Sequence, residues 1–196
     1  MEKITCRILS VLAIALVTAA VSGVASAQSE FTTTYFTNNT TPGAPAAKLR
    51  FSNDGDAGGK TLCAMIYVYA ANQQIEECCG CPVTKNGLVE ENVQTDLLGN
   101  PLAAKPPNQG VIQIIATTDP GVCDPTASTA TLAHGLTTWT THIEDEVGTT
   151  FPITVTQNSG GALSTKEITA LETDCRLATA LGTGFGVCTC NAEATN

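Results

Sequence analysis

The chain has 196 residues, of which 43% are hydrophobic and 14% charged, with nine cysteines and a formal net charge of −9. That length allows one domain, or at most two small ones; the apolar fraction is too high for a disordered chain, and 17 glycines are too few for collagen. The excess of acidic over basic residues repels phosphate backbones and anionic membrane surfaces, so no nucleic-acid partner is expected.

Residues 1–27 read as a secretory signal peptide. Lys3 and Arg7 form a basic start, an apolar stretch runs from Ile8 to about Val21, and Ala25-Ser26-Ala27 is an A-x-A cleavage site. A membrane anchor would need ~20 apolar residues, and this run is shorter and broken by Ser10 and Thr18. Cleavage would leave residues 28–196 as a single secreted β-rich domain, extracellular or periplasmic, with no stable membrane span.

Within that domain, residues 28–46 read as one short strand carrying Phe31, Tyr35 and Phe36, then a loop through Thr41-Pro42-Gly43. Ala47, Leu49 and Phe51 alternate with Lys48, Arg50 and Ser52, the period of a half-buried strand. Thr61 to Ala70 is apolar or aromatic on both faces, which predicts a strand central in its sheet. Gln74 to Cys79 reads as a return strand, Asn86-Gly87 as a hairpin turn leading to Leu88 and Val89, and residues 99–108 as a loop. Val111 to Ala116 is a further strand, and residues 119–131 are a loop. Leu132 to Ile143 combines helical spacing with strand-favouring threonines; strand is the reading taken. Phe151, Ile153 and Val155 are expected to face inward on a last strand, with Pro152 marking an edge. Ser164-Thr165-Lys166-Glu167 is a capping box, and Ile168, Leu171, Cys175 and Ala178 share one helical face, so a helix is expected from Thr165 to Leu181 with Gly182 as its C-terminal cap. Six to eight strands ahead of one helix predict a mainly β fold: an antiparallel β-sandwich with one C-terminal helix, stapled by disulfides.

Export makes the cysteines structural. Without Cys6, eight remain: Cys63, Cys78, Cys79, Cys81, Cys123, Cys175, Cys188 and Cys190. An even count in an oxidising compartment predicts four disulfides, with 105 possible pairings. Direct neighbours rarely pair, because a bridge needs Cα atoms ~5.5 Å apart. Cys78, Cys79 and Cys81 are each expected to reach a different distant partner, tying the strand region to the C-terminal tail. Closure of Cys175 onto Cys188 or Cys190 would form a ~15-residue loop worth ~3 kcal/mol. The rival reading, five thiolates holding zinc or copper, lacks the usual C-x-x-C spacing, so no metal is expected.

The remaining chemistry is sparse. G-x-S-x-G, H-E-x-x-H and the P-loop are absent from the sequence. His134 and His142 lie eight apart, which makes no obvious metal pair and reads as structural. Gly182-Thr183-Gly184-Phe185-Gly186 has the look of a phosphate loop but follows a helix instead of preceding one. Asp54-Gly55-Asp56 could begin a calcium loop, yet a twelve-residue loop from Asp54 would end on Met65 where glutamate is needed, so a turn is the better reading. Glu144-Asp145-Glu146 reads as a solvated acidic loop.

Leu62-Cys63-Ala64, Tyr67-Val68-Tyr69, Glu77-Cys78-Cys79-Gly80-Cys81, Cys123-Asp124-Pro125-Thr126 and Gly186-Val187-Cys188-Thr189-Cys190 together resemble a group of secreted proteins from soil bacteria. The resemblance implies export and a shared disulfide framework and brings no activity with it. With 29 threonines after residue 27, an acidic surface and no catalytic signature, the expectation is a structural or binding module. It would engage a surface glycan or protein and need no cofactor. The alternative is a secreted hydrolase whose acidic pair converges only in three dimensions.

Overall fold

The computed structural model describes residues 30–118, 123–126, 131–182 and 190. Among the described residues, nine strands precede one helix: β1 (Phe31–Phe36), β2 (Lys48–Asn53), β3 (Leu62–Ala70), β4 (Ile75–Val83), β5 (Leu88–Asn92), β6 (Gly110–Thr117), β7 (Leu136–Ile143), β8 (Ile153–Gln157), β9 (Gly160–Gly161) and α1 (Thr165–Leu181). They form a five-stranded sheet in the order β4-β3-β6-β1-β9 and a four-stranded sheet in the order β5-β2-β7-β8. Every named pairing is antiparallel.

The two apolar faces of β3 explain the layering. Leu62, Ala64, Ile66 and Val68 join Phe36, Leu49, Phe51, Ile112 and Ile114 in the core between the sheets. Cys63, Met65 and Tyr67 face the other way and are covered by Leu171, Cys175 and Ala178 of α1. Full burial of each large side chain contributes about 1.5–3 kcal/mol, so β3, paired with β4 and β6, is the centre of a helix–sheet–sheet stack. The helix begins where its capping box lies: Glu167 N donates to Ser164 Oγ, and Ser164 N donates 2.8 Å to Glu167 Oε2. It ends at Gly182, whose φ of 78° a side chain would resist and whose N–H donates to Thr179 O.

Three readings of the sequence are corrected. β4 runs four residues past Cys79, to Val83; as an edge strand it tolerates Pro82, which lacks a ladder donor. Val93–Leu97 forms a single π-helical turn, capped by Asn92 Oδ1 accepting from Gln94 N and Thr95 N, where no element was expected. Ile153 and Val155 do not face inward: they are 53% and 61% exposed. Thr154 and Thr156 occupy the opposite side of β8, and Thr156 Oγ1 lies 2.6 Å from His142 Nε2. Only Phe151 of that expected trio packs against the core. Strand periodicity alternates sides but does not say which side is covered. The ambiguous stretch resolves as strand β7 from Leu136, with Leu132 in an isolated bridge to Thr117.

Candidate functional site

β4 carries three of the expected disulfide cysteines, and alternation sends them to different layers. Cys78 points to the helix side and is bridged to Cys175, with Cα atoms 5.7 Å apart. Cys81 points between the sheets and is bridged to Cys190 at 5.2 Å. Cys63 of β3 is bridged to Cys123 at 5.4 Å. Cys78 and Cys81 thus each reach a different distant partner towards the C-terminus, as expected, and the short loop from Cys175 to Cys188 or Cys190 does not form. Cys79 is disulfide-bonded as well, and Cys188 lies outside the described residues. Gly80 lets the Cys123 loop lie against β4, since a Cβ there would sit 2.0 Å from Cys123 O.

The sulfurs of Cys81 and Cys190 and the carboxylate of Glu91 lie within 4.8 Å of one another. In the bridge the two sulfurs are bonded to each other, so they offer no thiolate to a metal. Glu91 is fully buried, as is Glu77, whose Oε1 accepts from Cys78 N; neither looked different from a surface charge in the sequence. The Asp54–Asp56 segment is a turn in which Asp54 Oδ1 accepts from Asp56 N. The glycine-rich stretch after Gly182 lies outside the described residues.

The two histidines stay apart. His134 is exposed, with Nε2 3.4 Å from Glu30 Oε1. His142 is buried in β7 and stacked on Tyr35 with ring centroids 4.2 Å apart. Burial holds its pKa below the ordinary histidine value.

A groove with room for a ligand lies on the helix side of the five-stranded sheet. About 610 Å³ in volume, it runs between α1 and the ends of β1, β3 and β6, lined among others by Phe31, Tyr69, Gln73, Gln113, Glu167 and Asp174. Tyr69 OH donates 2.9 Å to Asp174 Oδ2, which fixes the ring's orientation. Burial, and then Asp174, push the Tyr69 phenol well above its ordinary pKa, so it stays a donor. Glu167 is engaged in the helix cap, and the Ser164 groups that donate to it hold its carboxyl below the usual range. Among the described residues, no lysine, arginine or histidine lines the groove. Across α1, a cavity of about 10 Å³, the space of one water, lies between Glu172, Asp124 and Thr117; burial raises the Glu172 pKa there. Apart from Glu167 in the capping box, no local motif marks the groove residues, because they come from four separate stretches of chain. Among the described residues, no helix is long and apolar enough to cross a membrane.

Comparison of the chain with protein-family models, curated proteins and solved structures finds no match.

Proposed function

We propose that this protein is an exported, non-enzymatic binding module that holds a neutral glycan chain in the groove beside α1. One observation carries the reading: the groove sets the Phe31 and Tyr69 rings beside the Gln73 and Gln113 amides, with no cationic side chain among its described lining residues. Aromatic rings cover the apolar face of a sugar while amides and carboxylates bond its hydroxyls, and the acidic lining disfavours anionic ligands. Export is supported by the N-terminal pattern and by multiple disulfides, which persist in oxidising compartments.

The hydrolase alternative would need two carboxylates flanking a scissile bond. The groove holds Glu167 and Asp174, but both stand on α1, about two helical turns apart, so they line one wall of the groove instead of flanking a bound chain. Each is also already bonded within the fold, to Ser164 and Tyr69 respectively.

The test is titration of the processed protein with a panel of neutral oligosaccharides, followed by amide chemical shifts. Shifts are expected to cluster at Tyr69, Gln73 and Gln113. Gln113→Ala is expected to weaken binding about fivefold, the loss of one hydrogen bond. No binding across the panel refutes the glycan reading; glycoside turnover abolished by Asp174→Asn would establish the hydrolase instead.

A further inference from the structure

We propose that two copies of this chain pair antiparallel along β8, joining their four-stranded sheets into one continuous sheet of eight strands. β8 hydrogen-bonds to β7 on one side and is the last strand of its sheet on the other. All five of its residues are exposed, including the apolar Ile153 and Val155. Such an edge is a template for another strand, and proteins normally blunt it with charge, with brevity or by covering it.

The other edges in this molecule are blunted. β5 carries Glu90 and Glu91, β4 carries Glu76, Glu77 and Pro82 and is bridged to the helix, and β9 is two residues long. β8 has none of these devices, and no charged residue occurs between Glu146 and Lys166. In a chain with twice as many acidic as basic residues, an uncharged edge is where a second copy meets least repulsion.

The strand is also complementary to itself. Two-fold pairing centred on Val155 sets Val155 opposite Val155, Thr154 opposite Thr156, and Ile153 opposite Gln157. Apolar side chains then share one face and threonines the other, the arrangement that a symmetric interface requires. At the strand ends Pro152 O accepts from Glu144 N and Asn158 N donates to Thr138 O, so both face β7, and by alternation the free ladder is offered by residues 153, 155 and 157. The acidic turns at Glu144–Glu146 fall at opposite ends of the pair. A five-residue strand separates them by about 17 Å, roughly twice the ~8 Å screening length of physiological salt. Pairing would present two grooves on one particle, which raises avidity for a repeating ligand, but it stands on the strand alone and not on what the groove binds.

Sedimentation velocity of the processed protein, from about 10 µM to about 1 mM to bracket weak association, is expected to show the mass rising towards twice the monomer. Val155→Lys is expected to stay monomeric, with its melting temperature in dilute solution unchanged because the site is exposed. Val155→Glu alone behaves likewise, and mixing the two restores a heterodimer by setting opposite charges face to face. A wild-type monomer throughout, a dimer that survives Val155→Lys, or a mixture that does not associate overturns the proposal.

Discussion

The Cys78–Cys175 bridge spans 97 residues, yet its contribution to stability is set by a far shorter loop. With Cys81–Cys190 in place, the chain already returns from Cys81 to Cys190. The loop that Cys78–Cys175 closes is then the three residues to Cys81 and the fifteen from Cys190 back to Cys175, about 18 in all and worth about 3 kcal/mol in the chain-entropy relation. In a background with Cys79, Cys81, Cys188 and Cys190 replaced by alanine, the shortest route runs through Cys63–Cys123. That loop is about 67 residues, worth about 4.4 kcal/mol. The same two sulfurs are removed in both backgrounds, so packing losses cancel in a double-mutant cycle. Urea unfolding at a fixed sucrose concentration, extrapolated linearly, measures each corner. Loss of Cys78 and Cys175 is expected to cost about 1 kcal/mol more in the reduced-bridge background than in the native one. An equal or smaller cost there would refute the nested-loop reasoning.

Two carboxylates are expected to move the pH dependence in opposite directions. Lys48 and Arg50 hold the Glu90 carboxyl below its ordinary range, so its contribution is present above the usual glutamate pKa and is lost as pH falls through the lowered value; Glu90→Gln should flatten that acid limb in thermal melts. Burial raises Glu172, so its stability is present at acid pH and lost as pH rises through the raised value; Glu172→Gln should raise the melting temperature at pH 7 and leave it unchanged below about pH 4. Gly80→Ala drives a Cβ to 2.0 Å from Cys123 O and is expected to cost about 3 kcal/mol or more by urea unfolding. Ser164→Ala removes the helix cap and is expected to cost about 1 kcal/mol, read by the same assay.

The elements that could be read from the sequence are those whose neighbours in the chain determine them. The alternation in β2, the doubly apolar β3 and the capping box at Ser164 each encode their own burial, and the sandwich with one helix follows from them. β8 shows the limit. Ile153 and Val155 carry the correct period, but whether that face is covered depends on which strands lie opposite, a matter of topology. The groove was not legible at all: Tyr69, Gln113 and Asp174 meet only because β3, β6 and α1 stack. Glu77 and Glu91 were misleading for the converse reason, since a core glutamate and a surface one look alike along the chain.

The distribution of bridges also decides what a protease can detach. Between Cys63 and Cys190, a single cut in the turn after β3, in the loops around residues 99–108 or 144–152, or just beyond α1 leaves both pieces joined by at least one of Cys63–Cys123, Cys78–Cys175 and Cys81–Cys190. The same cut around Asp54–Lys60, a largely exposed turn of the kind proteases favour, separates a piece that carries β1 and β2 and has no cysteine from residue 28 onward. Those two strands sit inside their sheets, each hydrogen-bonded on both sides. The nicked molecule would therefore keep its shape until something unfolds it, and then lose one strand from each sheet irreversibly.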